Sequence, residues 1–445
     1  MLKRIGRNED MTGAETAIRN AVFPAPFAAG LEFSAPARGP WNIVHTGMLI
    51  PESHQIFIYA RGCLRGVILT AAEMNAMNRM SWVSLEENDF FTGRMENDAV
   101  ERCSHILSQM PEKPKAVLLF ISCVQLFTGF DFDLVLDQLR AQFPEIDFID
   151  CYMHPTMRKS GLTPDQLMRQ QLFAPLKPVP ANPRSVAILG NDLTTDPESY
   201  LCRTITGNGF ELQDITLCPD YQAYQKIGES SLMIATYPPA KAGAEHLAKR
   251  LGRKFLYLPI SYSYNEIIEE QNLLAEALGI PPDDPSLRVA AAEKALAKAK
   301  EIIGDMAIEI DYTAAPRPLG LARLLLDHGF RVKRVYADVF IGEEKEAFDD
   351  LQRRYPDLIL TATVHAKMRF AGKGSRGNEP VLAIGEKAAY FSGSRHFVNM
   401  IAGGGGHGFE GIIGLTERMI DAFQNEKDTE KIIQLKGLGC ESCLI

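Results

Sequence analysis

Short apolar runs alternate with amphipathic stretches along most of the chain. HQIFIYA (54–60) predicts a strand and VILTAAEMNAMNRM (67–80) a helix after it. DAVERCSHILSQM (98–110) predicts a helix, KAVLLFIS (115–122) a strand, residues 131–143 a helix and EIDFIDCYM (145–153) a strand. The prolines of APLKPVPANP (174–183) mark a linker. The theme restarts with the strand RSVAILGN (184–191), a helix over 197–208 and the strands FELQDITL (210–217) and SLMIATYP (230–237). A helix over 241–251 and the strand KFLYLPIS (254–261) follow. Residues 264–303 predict two helices, the second rich in strong helix formers but without a clear apolar stripe in its C-terminal half, and so half exposed. A third round runs from MAIEIDY (306–312) through LGLARLLLDHG (319–329), FRVKRVYAD (330–338), a helix over 343–355, LILTATVH (358–365) and VLAIGEKAAYF (381–391) to the closing helix GFEGIIGLTERMIDAFQN (408–425).

Strand–helix alternation of this kind predicts parallel sheets covered by helices on both faces. The reading is an α/β protein of three consecutive Rossmann-like domains, over 41–180, 181–303 and 304–425. Residues 1–40, rich in Ala, Gly and Pro, are expected to form a loosely structured arm able to drape over a partner. Residues 426–445 form a tail. Ligands of open α/β sheets gather at the carboxyl ends of the strands. That rule points to Cys63, Cys123, His365 and the 261–264 segment.

Composition narrows the function classes. Hydrophobic residues are 46% and charged residues 23%, ordinary for a globular protein. The net charge of -9 argues against a nucleic-acid partner. No apolar run approaches the roughly 20 residues of a membrane helix. MLKRIGRNEDMTGAE has early basic residues but no apolar signal-peptide core. The eight cysteines are therefore expected to be reduced thiols and the protein to be cytoplasmic.

Cys63 and Cys123 each follow an apolar, strand-like run. A zinc site or a four-iron cluster takes about four soft ligands, so two good thiols suggest half a site and a second subunit. The competing reading is two ordinary buried cysteines. Gly62, Gly66 and Gly129 favour exposed turns over packed strands at these points. Cys103 and Cys202 fall in predicted helices and read as core. Cys151, beside His154, also reads better as core, and Cys218 follows a strand. Cys440 and Cys443 form a C-x-x-C with metal or redox spacing, or a solvated tail. In TATVHAKMRF, His365, Lys367 and Arg369 occupy alternate positions. In an extended segment they would project one way, forming either a row for an anionic substrate, with His365 as proton donor, or a basic edge. His396 and His407 are further candidates. GGGGHGFEG (403–411) opens the last helix and suits an anion. No G-x-x-x-x-G-K-[ST] occurs, so any ATP-driven electrons must come from another protein.

The arrangement resembles the component 1 family of nitrogenase-like oxidoreductases. His54 to Cys63 looks like its histidine-to-glycine-cysteine stretch, WVSLEENDFFTG (82–93) like its Thr/Ser-x-x-Glu-x-Asp-x-x-phenylalanine-glycine stretch, and SCVQLFTGFDFD (122–133) like its cysteine-then-glycine-aspartate segment. SVAILGN and DYTAAPRPLGLARLLLDHGFRV look like the openings of its second and third Rossmann-like domains. The resemblance covers roughly residues 40–425. In nitrogenase proper each subunit gives three cysteines to an eight-iron cluster. The first would fall before His54, in a stretch here without cysteine, where His45, Glu52 or Ser53 would have to replace it. The region matching the cofactor-anchoring cysteine, LPISYSYNEIIEEQN (258–272), has Ser261, Tyr262 and Tyr264 instead. The resemblance therefore implies one [4Fe-4S] cluster bridging two subunits through Cys63 and Cys123 of each. It implies an assembly with itself or with a similar component 1-like chain, as a homodimer or an α2β2-type heterotetramer. It implies electrons from a P-loop ATP-dependent iron-sulfur reductase, and room for a second metallocofactor or a tetrapyrrole in the cleft between domains. His365, Lys367 and Arg369 would serve that cavity as catalytic groups. A non-catalytic scaffold for metallocofactor assembly is the alternative, and a metal-free small-molecule binder a third.

Overall fold

The computed structural model describes residues 11–33, 42–91, 93–153, 161–374 and 379–433. Cys440, Cys443, His154 and the two ends of the N-terminal arm lie outside the described residues.

The chain divides into two compact units. The first comprises Trp41–Thr194 and Ile205–Pro259. The second comprises Met1–Pro40, Thr195–Thr204 and Ile260–Ile445. In chain order the strands are β1 (Glu15–Ala17), β2 (Ser53–Ala60), β3 (Met80–Leu85), β4 (Ala116–Ser122), β5 (Asp147–Met153), β6 (Asn182–Ile188), β7 (Glu211–Asp214) and β8 (Ser230–Ala235). They continue as β9 (Lys254–Tyr257), β10 (Ala307–Asp311), β11 (Arg331–Tyr336), β12 (Ile359–Thr361), β13 (Val381–Ile384) and β14 (His396–Val398).

The first unit holds two four-stranded parallel sheets, ordered β3-β2-β4-β5 and β7-β6-β8-β9. The unbroken apolar run of β4 reports its position, since all seven residues are buried between two helix-covered faces. Residue parity assigns the faces. Ile56, Ile58, Val117, Leu119 and Ile121 pack with Val100 and Leu107 of the helix Met95–Gln109 and Val135 and Leu139 of the helix Phe132–Gln142. Phe57, Tyr59, Leu118 and Phe120 face the other way and share a core with Ala187, Leu189, Met233 and Ala235. Phe57 and Phe120 stack across the strands with centroids 4.4 Å apart.

A helix absent from the sequence reading, Pro164–Gln171, joins that shared core through Met168. Its start signal was present: Thr163 and Gln166 form a capping box and Pro164 opens the first turn. Arg169 on this helix is fully buried. It donates to Gly190 O at 2.6 Å and to Asp192 Oδ2 at 3.1 Å, and lies 4.7 Å from the centre of the Tyr237 ring.

The second unit is built on a six-stranded sheet, β1-β12-β11-β10-β13-β14, parallel except for β1. The arm departs from its expected looseness. Glu15–Ala17 pair antiparallel with β12, and Ala14 and Ile18 are fully buried. The short AETAI run (14–18) hides two side chains that bury well, Ala14 and Ile18, and is too brief for a periodic signal. The helices Tyr264–Leu278 and Ser286–Ile303, placed by sequence in the second repeat, pack with the third sheet: Ile267, Ala292, Leu296, Ala299 and Ile303 share the core of Ile308 and Ile310. The buried stripe of Ser286–Ile303 includes two alanines, Ala292 and Ala299, which is why no strong apolar face was visible.

The Arg169–Asp192 pair is fully enclosed, so removing one partner strands the other charge. Arg169→Met should lower unfolding stability by about 3–5 kcal/mol, and adding Asp192→Leu should recover part of the loss. Urea denaturation checks both, and an unchanged midpoint in the single variant would contradict this role for Arg169.

Candidate functional site

The two candidate thiols stand at one edge of the first sheet. β2 runs straight into the helix Arg61–Glu73, which starts six residues earlier than its apolar pattern predicts. The inward positions are Leu64, Val67 and Ala71, so the first turn carries no apolar signal. Cys63 lies in that first turn and is exposed. Gly62 and Gly66 are helical rather than turn residues, and a side chain at either would meet open space. Arg61 and Arg65 flank the thiol and are exposed.

β4 ends at Ser122, and Cys123 opens the helix Cys123–Thr128. Ser122 caps that helix: its N–H and hydroxyl donate to Gln125 Oε1 at 3.0 and 2.7 Å. The Gln125 amide in turn donates to the carbonyl of Ile58, tying the start of this helix to β2. Gly129 ends the helix at a φ of +71°, the turn residue its sequence position predicts. β2 and β4 are hydrogen-bonded neighbours with Ile58 opposite Ile121. Both thiols therefore occupy the first helical turn beyond adjacent parallel strands. Helix starts favour anionic groups, and the two arginines add positive charge beside Cys63.

Large apolar side chains ring the same edge. Phe91 is 86% exposed at the end of the helix Glu87–Phe91, which follows β3. Phe127 is 76% exposed four residues after Cys123, next to exposed Leu126. Leu134 is exposed in the first turn of Phe132–Gln142. Sequence reading missed this rim because lone apolar residues within helices look like core positions.

Among the described residues no group of three or more His, Cys, Asp or Glu is placed to hold a metal ion. Cys63 and Cys123 thus make no complete four-thiolate centre with other described residues of this chain. The three residues considered as a third ligand are otherwise engaged. His45 Nδ1 accepts from Asn42 N at 3.2 Å in a helix cap. Glu52 Oε2 accepts from Tyr221 N at 2.7 Å, and Ser53 donates to Ile50 O at 2.7 Å. Glu52 and Ser53 also stand at the opposite end of β2 from Cys63, about 26 Å away at about 3.3 Å per residue. Cys103, Cys151 and Cys202 are buried in the core, and burial pushes the Cys103 thiol up to about 12. Cys218 is half-buried, with its thiol facing Asp214 O at 3.4 Å, and burial raises it to about 11.

The basic row does not form. Residues Ala366–Phe370 make a tight helical turn rather than an extended strand. Successive residues there rotate by about 120°, so His365, Lys367 and Arg369 do not share a face. His365 Nδ1 caps the turn, accepting from Lys367 N at 3.2 Å. Lys367 Nζ donates to Thr12 O at 2.5 Å, and exposed Arg369 lies over the Phe370 ring at 4.5 Å. The cause is local packing. Phe33 N donates to Val364 O at 2.6 Å, Glu32 bridges to His365, and Met368 is fully buried.

A buried polar group lies elsewhere in the second unit. Ser261 Oγ donates to Glu266 Oε2 at 2.5 Å, and Arg317 Nη2 donates to Glu266 Oε1 at 3.0 Å. Burial, reinforced by the charge of Glu266, holds the Glu270 carboxyl well above the usual carboxylate range. His407 Nε2, at the end of the glycine run, is 3.8 Å from Glu270 Oε2. Gly406 needs its bare backbone, because a side chain there would meet Gly411 Cα at 2.8 Å. Sequence reading singled out Ser261 and His407 but not Glu270 or Arg317. His396 is a packing residue: Nδ1 faces Ala422 O at 3.0 Å and the ring stacks on Phe423.

A family model described as "Nitrogenase component 1 type Oxidoreductase" matches residues 53–423. Two similar solved structures are titled "Nitrogenase Cp1 at pH 6.5" and "Nitrogenase Cp1 at pH 5". The first is 14% identical with a TM-score of 0.66, covering 91% of this chain and 95% of its own. The second is 14% identical with a TM-score of 0.60, covering 93% and 94%. They show a shared fold of parallel sheets flanked by helices. No curated protein sequence matches the chain. No helix among the described residues is long and apolar enough to cross a membrane.

His54, which begins the first matched stretch, gives a pH test. Burial, with the charge of Arg79 second, lowers its pKa to about 4, and its Nε2 is 2.8 Å from Ser81 Oγ. The folded chain resists protonating this ring while the unfolded chain takes a proton near 6.5. Its contribution is therefore complete above that value and is lost as pH falls toward 4, by up to about 3 kcal/mol. His54→Gln should flatten the stability–pH curve across that window in denaturation experiments. An identical curve would mean the ring is not held neutral.

Proposed function

Because the chain belongs to the nitrogenase component 1 type oxidoreductases, we propose that it is a subunit of a nitrogenase-like reductase. In this reading Cys63 and Cys123 hold a [4Fe-4S] cluster together with the same pair from a second subunit. One observation carries it: two thiols in the first turns of helices on neighbouring strands, inside a rim of exposed Phe91, Leu126, Phe127 and Leu134. Exposed apolar rims of this kind mark protein interfaces, and four thiolates satisfy one such cluster. The second subunit is another copy or a similar component 1-like chain.

A bound cluster supplies one-electron transfer at low potential. The chain's own residues do the rest. The helix starts and Arg61 and Arg65 offset the negative charge of the centre, and the apolar rim shuts out water when paired. The electron donor is a P-loop ATP-dependent iron-sulfur reductase, because this chain has no nucleotide-binding P-loop of its own. His365, Lys367 and Arg369 handle charge and protons at the substrate, each separately, since the turn spreads them apart. Reduced thiols suit a cytoplasmic setting.

A scaffold for metallocofactor assembly is the second reading. It is favoured by Ser261, buried and bonded to Glu266 where the resemblance would place an anchoring cysteine. Migration of a bound cofactor to another protein would support it, and turnover of a substrate by the purified complex would exclude it.

Anaerobically prepared protein should contain about four iron per dimer, and Cys63→Ala with Cys123→Ala should remove it. Full iron retention in the double variant overturns the ligand assignment. Phe127→Asp should split the dimer and release the iron while the secondary structure stays intact. Circular dichroism and sizing under anaerobic conditions read both, and a loaded dimer in that variant would place the interface elsewhere.

A further inference from the structure

The edge that carries the thiols has a diagonal charge pattern. In chain order the helix Arg61–Glu73 leads from β2 to β3, and the helices Cys123–Thr128 and Phe132–Gln142 lead from β4 to β5. These two crossovers leave neighbouring strands in opposite directions, and crossovers between parallel strands are right-handed. Their covering helices therefore lie on opposite faces of the sheet. The cores agree: Leu64 and Val67 pack with Phe57 and Phe120, whereas Phe132 and Val135 pack with Ile58 and Ile121. One quadrant of the edge, beside β2 and β3, thus carries exposed Arg61 and Arg65. The diagonal quadrant, beside β4 and β5, carries exposed Asp131 and Asp133 at the start of Phe132–Gln142.

Among the described residues no ion pair engages any of these four side chains. Asp131 uses Oδ1 to accept from Leu134 N at 3.0 Å, which caps the helix. A centre shared by the Cys63–Cys123 pairs of two like subunits has a two-fold axis between the thiols. Such an axis, rising from the edge, exchanges left with right and one face with the other. It lays the basic quadrant of each subunit on the acidic quadrant of the other. Exposed Leu126 and Phe127 stand near the axis, on the helix that Cys123 opens. A patch that complements itself through a two-fold fits an isologous interface.

We propose that the second subunit is another copy of this chain, clasped at two equivalent places by Arg61 and Arg65 of one copy against Asp131 and Asp133 of the other. The proposal rests on the cluster reading above, which supplies the axis and leaves the choice of partner open. Opposite charges on the rim bring two copies together in one register and penalise partners that lack the pattern. A surface built for a different partner needs only one half of the clasp, and this chain carries both.

The test is anaerobic analytical ultracentrifugation at low salt, with iron measured on the same fractions, for the natural chain and two charge-reversed forms. One form carries Arg61→Glu with Arg65→Glu. The other carries Asp133→Lys with Asp131→Asn, since asparagine keeps the helix cap. The natural chain should form a dimer that weakens as salt rises. Each reversed form, folded by circular dichroism, should self-associate roughly a hundredfold more weakly, because like charges then meet at both clasps. An equimolar mixture of the two should recover the dimer and its iron, which a misfolded form could not do. Should either form misfold, Arg65→Glu alone against Asp133→Lys alone is read the same way. Reversed forms that pair as tightly as the natural chain, or a mixture of folded forms that stays monomeric, overturn the proposal. A natural chain that is monomeric alone but forms an iron-loaded pair with a similar component 1-like chain overturns it too, and leaves the cysteine ligands standing. A natural dimer that follows the charge pattern but holds no cysteine-dependent iron removes the cluster reading and keeps the clasp.

Discussion

The candidate site depends on the pairing of two parallel strands, Ser53–Ala60 and Ala116–Ser122. Parallel pairing puts both carboxyl ends at one edge of the sheet. Each strand then passes into a helix with almost no intervening loop, so the thiols are held by regular structure and not by mobile connections. Burial of Ala116–Ser122 on both faces fixes the pairing, because a one-residue slip would turn every side chain to the wrong face. The Gln125 side chain, joined to Ser122 and to Ile58 O, locks the second helix onto the first strand. The spacing between the two thiols is thus a property of the core and is paid for there.

Much of this was legible in the sequence. The apolar runs located nearly every strand, because parallel strands buried on both faces show as unbroken hydrophobic blocks. The cysteines stood out because they followed those blocks. What failed to show has physical causes in particular residues. The start of Arg61–Glu73 was hidden because most of its first six residues face water and two of them, Gly62 and Gly66, are glycines. The arm's strand was hidden because three residues cannot display a period. The helix Pro164–Gln171 was written plainly as a capping box but sat beside a proline-rich stretch that read as linker. The row of His365, Lys367 and Arg369 failed for another reason. Side-chain direction was inferred from an extended backbone, and the burial of Met368 together with the pairing of Glu32 and Phe33 bends that backbone into a turn.

Polar groups inside the chain fall into two sorts. Arg169 and Asp192 answer each other across a short distance and serve as a mechanical tie within the first unit. Glu270 is different: its Oε2 is buried without a hydrogen-bond partner, and protonation relieves the cost of that burial. The family assignment does not depend on either, yet both show how unevenly charge is tolerated in the interior. A close pair holds its charges in place, whereas burial pushes an acid with only a distant partner toward its neutral form.

The third-ligand positions carry a consequence for metal selection in the cell. His45, Glu52 and Ser53 are tied into caps and strand ends, so among the described residues the cysteine-bearing end of the sheet offers two sulfurs to an ion. Zinc and copper bind most thiolate sites more tightly than iron does, and a complete four-sulfur pocket on one chain would be captured by them during synthesis. A half-built pocket gives such ions an unfilled coordination shell. Under the proposed sharing of Cys63 and Cys123 with a second subunit, the choice of metal would pass from raw affinity to the timing of assembly.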